Sequence, residues 1–214
     1  MRVVAGEFRG RTIEAPEGKG TRPTIDRVRE SLFSSLFSRL GGFTDVMVLD
    51  AFAGSGALGI EALSRGATGC VFYERDEAAA RILQRNLTSL GLKAPRAVLR
   101  KADVLEMSPA NVTRGFDLVL LDPPYAMDPL EVHTFIERLR TNGVLEAGAL
   151  VCYEHNTATD MDAFREELGK HWEEVSTRKY GKVSITMVKL RWAVVQFCMK
   201  CAFFRLKCHC DGRK

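Results

Sequence analysis

The chain has no apolar run long enough to span a bilayer, which excludes a helical membrane protein. Its first ten residues, MRVVAGEFRG, lack the apolar stretch of a secretory leader, so a cytoplasmic location is expected. Internal repeats and low-complexity segments are also missing. Cysteine is scarce up to residue 190: only Cys70 and Cys152 occur there, both in apolar strand-like runs. They read as small buried hydrophobes in a reducing compartment.

What is present is an ordinary globular composition, 46% apolar and 27% charged, over 214 residues. That length suits one α/β domain with a small appendage. Charge is unevenly spread. Residues 1–40 carry eight basic against five acidic side chains, residues 41–190 seventeen against twenty-one, and residues 191–214 six against one. An acidic body with basic ends fits a polyanionic partner, although basic ends can equally be solvated termini. Cys198, Cys201, Cys208 and Cys210 crowd into the last segment beside His209. They form a weak zinc pattern, because the second pair is separated by a single residue.

Organisation follows from periodicity. Residues 2–15 alternate around Gly6 and Gly10, which predicts a short N-terminal β-hairpin, with an extension of residues 1–20. Thr24 or Asp26 is placed to cap a helix whose apolar positions are Val28, Leu32, Leu36 and Leu40, ended by Gly41 and Gly42. From Val46 apolar runs alternate with helical patterns, the signature of a doubly wound, mostly parallel α/β sheet. Strands are expected near 46–50, 70–74, 97–100, 117–121 and 148–153, and helices near 57–65, 76–90, 130–141 and 160–169. An antiparallel hairpin, 172–179 and 183–190, completes seven strands and closes a main domain of residues 21–190.

Asp50-Ala51-Phe52-Ala53-Gly54-Ser55-Gly56 joins the first strand to a helix, with Gly59 behind it. Gly54 and Gly56 permit a tight turn and close ligand approach. Glu74, at the end of the second strand, is placed like a ribose-binding acid, which a dinucleotide enzyme would also show. Asp50, however, would repel a pyrophosphate and suit an ammonium group. S-adenosylmethionine fits Asp50, Phe52 and the glycine turn together with Glu74, and Asp103 after the third strand is placed to accept from an adenine amine. Each acid alone is more often a helix cap or loop carboxylate; four at successive strand ends favour one shared site.

The fourth acid opens Asp122-Pro123-Pro124-Tyr125, directly after an apolar strand. The prolines remove backbone donors, leaving a carboxylate, outward carbonyls and an aromatic face. Such a slot suits a planar group bearing an amine, and a Pro-rich turn with a satisfied Asp is the plain alternative. Asp122, at the junction of both halves, counts with the cofactor and with the amine. In the slot, Asp122 and the Pro123 carbonyl would each accept one N–H, aiming the nitrogen lone pair, while Tyr125 would stack on the ring.

These motifs, with Arg2 to Arg11 and Thr21-Arg22-Pro23-Thr24 followed by Asp26 to Glu30, resemble the S-adenosylmethionine-dependent methyltransferases with a D/N-P-P-Y/F motif. Within them they are similar to the RsmD-type enzymes that methylate guanine N2 in bacterial small-subunit (16S) ribosomal RNA. The likeness covers residues 1–190 and leaves the tail outside. It implies a Rossmann-like seven-stranded methyltransferase sheet with an antiparallel final strand, and Thr24 closing over the methionine end of the cofactor. The partner implied is ribosomal RNA, within the small subunit or its precursor, met by the basic N-terminal arm.

A base inside a helix is inaccessible, so the target lies in a loop or is flipped out. Arg2, Arg9 and Arg11 are candidates for phosphate contacts; Arg22 could serve there or pair with an acid of the cofactor pocket. Adenine N6 or protein glutamine methylation would use a related slot, and an idle binding module is a third reading. No large insertion interrupts the strands, which disfavours a sequence-specific DNA enzyme. Intact Asp50, Asp122 and Tyr125 speak against the idle module.

Overall fold

A computed structural model describes residues 1–15, 23–169 and 171–191, with residues 23–25 described by their backbone alone. Arg22, the Thr24 side chain and the tail cysteines lie outside the described residues. Seven strands form one sheet: β1 (Met47–Asp50), β2 (Gly69–Tyr73), β3 (Ala97–Arg100), β4 (Phe116–Leu121), β5 (Leu145–Asn156), β6 (Trp172–Tyr180) and β7 (Val183–Leu190). Their spatial order is β3-β2-β1-β4-β5-β7-β6. All pairings from β3 to β5 are parallel, and β7 runs antiparallel to both neighbours. The terminal hairpin thus does not simply add two strands at the edge. Its second strand slots between β5 and β6, where Val188 and Met187 are buried and exposed residues of β6 form the outer edge.

Helices cover both faces, so the strands read as continuous apolar runs. On one face Val48, Leu118, Leu120 and Cys152 pack with Leu32, Phe33, Ile60 and Leu83 from α1 (Pro23–Leu40), α2 (Ala57–Ser64) and α3 (Glu77–Ser89). On the other, Leu49, Val119, Leu121 and Tyr153 meet Phe135, Ile136 and Phe164 from α4 (Pro129–Thr141) and α5 (Asp162–Glu167). This alternation assigns each residue beyond a strand end to a face.

Helix α1 starts earlier than its expected cap. Pro23 opens it, in keeping with proline's fitness for a first helical position. Asp26 therefore falls inside the first turn, and it bonds Arg29 at 2.6 Å and Arg2 at 3.3 Å instead of capping. Thr24 likewise sits within the helix.

The N-terminal hairpin shrinks to one isolated antiparallel bridge, Arg2 with Thr12. The donors that a longer ladder would use turn to α2. Buried Glu61 accepts from Val4 N at 2.8 Å and Ala5 N at 3.0 Å, and Ser64 Oγ accepts from Phe8 N at 2.9 Å. Gly6 lies at φ 84°, where a Cβ would come within 1.8 Å of the Ser64 carbonyl oxygen. With Val3, Phe8 and Ile13 in the α1–α3 core, the arm is docked rather than free-standing.

Candidate active site

The order of strands reverses between β1 and β4, and an open α/β sheet leaves a crevice beyond the carboxyl ends at such a point. A cavity of about 730 Å³ opens there. Asp50, Phe52, Gly54, Glu74 and Asp103 line it, and Asp122, Pro123, Pro124 and Tyr125 form a further part of its wall. The candidate cofactor acids and the amine slot are thus brought to one space.

Asp50 is 1% exposed, and its Oδ2 accepts from Gly59 N at 2.9 Å. Glycine is required at 59 because a Cβ would lie 2.3 Å from the Phe72 ring, 2.7 Å from Cys70 Sγ and 2.9 Å from that same carboxylate oxygen. Burial pushes the Asp50 carboxyl up to about 7; the Gly59 N–H opposes the rise, and the nearby charges of Asp122 and Glu74 add to it. A buried acid held this high gains from a cationic ligand, which would restore its ionised form.

Glu74 is oriented by backbone donors. Gly54 N, on the turn, donates to one oxygen at 2.7 Å, and Asp76 N donates to the other at 2.7 Å. Each oxygen retains capacity to accept from a ribose hydroxyl. Gly54 takes φ 54°, and no atom lies within 4 Å of where its Cβ would be. Gly56 contributes differently. It is the N-cap residue of α2 at φ 82°, and a Cβ there would meet Leu83 Cδ1 at 2.3 Å. Phe52 packs edge-on against Phe135, with ring centroids 6.4 Å apart.

Asp103 lines the cavity with two donors already in place. Its oxygens accept from Leu105 N and from Arg75 Nη1, both at 2.9 Å. Partial burial raises its carboxyl, but these two donors outweigh it and hold it below the usual range. Arg75 is 64% exposed, so this ion pair sits at the rim of the cavity.

Tyr125 presents its ring to solvent at 51% exposure and donates its hydroxyl to Glu154 Oε1 at 3.2 Å. Desolvation, with the charges of Glu154 and Asp122, pushes that hydroxyl up to about 12, so it remains a donor at neutral pH. Glu154 also lines the cavity.

Comparison with known proteins agrees with this geometry. The family described as "Conserved hypothetical protein 95" matches residues 1–189. The chain belongs to that family. Ribosomal RNA small subunit methyltransferase D of Escherichia coli (strain K12) is 36% identical over 82% of this chain and 85% of its own length. The protein of the same name from Haemophilus influenzae is 38% identical over 86% of this chain and 91% of its own. Among solved structures, the Thermus thermophilus 16S rRNA N2 G1207 methyltransferase RsmC, in complex with AdoMet and guanosine, shares the fold at TM-score 0.62 and 23% identity. That match covers 82% of this chain and 45% of RsmC.

In this member of the family a second cavity, about 770 Å³, lies beside the first and shares Met1 with it. Arg2, Arg9 and Arg27 line it together with Asp26 and Glu30. Arg11 does not join them. Its Nη2 donates to the Ser89 carbonyl at 2.7 Å, at the end of α3. Among the described residues no group of three or more His, Cys, Asp or Glu could hold a metal ion. Likewise, no described helix is long and apolar enough to cross a membrane.

Glu154 escapes a reading of motifs, and Arg29, inside the Asp26–Glu30 segment, and Tyr180 line the same wall. Arg29 is 4% exposed, with Nη2 on Asp26 and Nε without an acceptor. Tyr180 shares a 2.8 Å hydrogen bond with Ser31 Oγ, tying the β6–β7 end to α1. The helical period of α1 and the gap between the two strands of the terminal hairpin were visible in sequence, but not that both face one cavity.

Proposed function

We propose that this protein transfers a methyl group from S-adenosylmethionine to the exocyclic N2 amine of a guanine in 16S ribosomal RNA, within the small subunit or its precursor. That it is an S-adenosylmethionine-dependent rRNA methyltransferase follows from its family and from relatives matched over more than four fifths of their length. The observation that carries the finer reading is the Asp122–Tyr125 slot on the same cavity wall as Asp50, Gly54 and Glu74.

The residues fit the cofactor by chemistry. Asp50 offers a buried carboxylate to its ammonium group, Glu74 an acceptor to its ribose, and Phe52 an apolar surface; Asp103 and the helix residue Thr24 complete the proposed set. When bound, S-adenosylmethionine supplies a methyl group already activated by a sulfonium. The protein's task is then placement. Asp122 accepts one N–H of the amine and the Pro123 carbonyl the other, drawing the nitrogen away from conjugation with the ring. Tyr125 stacks on the base and fixes its plane. Asp122 or a water takes the proton that leaves. Arg2 and Arg9 grip phosphates flanking the flipped base, on the cavity that shares Met1 with the one holding the slot.

The test is to incubate the protein with methyl-labelled S-adenosylmethionine and, in parallel, naked rRNA, assembled small subunits, DNA and bulk protein. Label in N2-methylguanosine from rRNA or subunits is expected. Label in N6-methyladenosine, or on protein glutamine, would replace this reading.

A further inference from the structure

Glu154 occupies a place that the reaction as described does not use. In the parallel ladder Leu120 pairs with Cys152 and Leu121 with Tyr153. Leu120 and Cys152 belong to the α1–α3 face of the sheet. Two residues further on, the period of two returns Glu154, within β5, to that face, and continuing the same register brings Asp122, the first residue after β4, beside it. Both line the cavity, and the Tyr125 hydroxyl donates to Glu154 at 3.2 Å, so the stacking ring lies against the second carboxylate.

A guanine whose N2 amine sits at Asp122 carries a second donor, N1–H, next along the same edge. Adenine and 2-aminopurine present an N1 lone pair at that position. A carboxylate there accepts from the first and repels the others. We infer that Glu154 accepts the N1–H of the target guanine and is the residue by which the site rejects bases lacking that proton. The inference rests on the guanine-N2 reading above. Tyr125 supports it by holding Glu154 Oε1 through its hydroxyl.

The experiment compares substrate carrying guanine with substrate carrying 2-aminopurine at the methylated position; 2-aminopurine keeps the N2 amine but has no N1–H. Wild-type protein is expected to favour guanine by about 100-fold in kcat/KM, the scale of one well-placed base contact. Glu154→Gln should lose about that factor on guanine and gain on 2-aminopurine, because its amide can donate to the N1 lone pair. Its dissociation constant for S-adenosylmethionine should stay within about twofold. Tyr125→Phe, which keeps the stacking ring and removes the hydroxyl that holds Glu154, should narrow the guanine preference by a smaller factor than Glu154→Gln does.

A Glu154→Gln protein that slows both substrates equally would overturn the inference, reducing Glu154 to a support for Tyr125. Equal use of the two bases by the wild type would overturn it without any variant. Wild-type protein that leaves guanine unmethylated would instead remove the function reading, and this inference with it.

Discussion

The two halves of the cavity wall are built on opposite plans. Around β1 to β3 every acid is anchored by main-chain N–H groups: Gly59 on Asp50, Gly54 and Asp76 on Glu74, Leu105 on Asp103. Around β4 and β5 the prolines withdraw such donors, and side chains contact side chains, with the half-exposed Tyr125 on Glu154. The first half is rigid and suits a ligand that is always the same. In the proposed reaction the second half admits a base arriving from a large partner, and its chemistry depends on a few side chains.

Removing one group from each half should separate catalysis from cofactor binding. Asp122→Ala is expected to lower methyl transfer on the order of 10³-fold by loss of amine positioning, with cofactor affinity by calorimetry within a few fold. A matching loss of cofactor binding would erase the contrast. Asp50→Asn should do the reverse, weakening cofactor binding about 100-fold by removing one partner of a buried charge pair. Its ligand-free melting temperature at pH 8 should equal or exceed that of the wild type. The native carboxyl, raised to about 7, binds its proton more tightly than in the unfolded chain. Its burden on stability therefore grows as pH climbs from the ordinary carboxylate range to 7, and asparagine does not ionise.

The same raised value sets a pH dependence. Below about 7 Asp50 is protonated before an ammonium ligand arrives. Cofactor affinity should then fall by about tenfold per pH unit below that point and level off above it. A flat titration from pH 6 to 8 would remove Asp50 from the ammonium site. Gly59→Ala should cost about 1–3 kcal/mol in denaturant unfolding, since its methyl group intrudes on Phe72, Cys70 and Asp50.

The smallest effects belong to the arm. Neutralising Arg2 or Arg9 should reduce the salt slope of RNA binding by about one each. Arg11→Gln should leave it nearly unchanged, because that guanidinium is engaged at Ser89. Equal slopes for Arg9 and Arg11 variants would deny the difference between them.

Strand positions were legible because apolar runs bounded by Gly, Pro and Asp carry their own limits, and β3 and β7 occupy the residues that periodicity predicts. The gathering of Asp50, Glu74, Asp103 and Asp122 was legible for the same reason: acids at parallel strand ends must converge. What stayed hidden depends on contacts between distant segments. A short hairpin was expected of the arm, and only the fold reveals that Glu61, 57 positions after Val4, takes two of its backbone donors. Asp26 carries the side chain of a cap, but Pro23 starts the helix three residues earlier. Arg75 on Asp103 and Arg11 on Ser89 are likewise pairings no local pattern announces. Glu154 needed the β4–β5 register, which a sequence of apolar runs does not contain.

Helix α2 is only eight residues long, yet two different jobs are fastened to it two positions apart. Gly59 holds the carboxylate proposed for the cofactor, and Glu61 holds the arm proposed for RNA. In the proposed reaction this helix acts as a ruler. A partner that settles on the arm has its reactive base gauged against the methyl donor by less than one helical turn, with no hinge between. A shift of the arm would therefore be felt at Asp50, and measuring cofactor affinity in a Glu61→Gln protein would read the stiffness of that ruler directly.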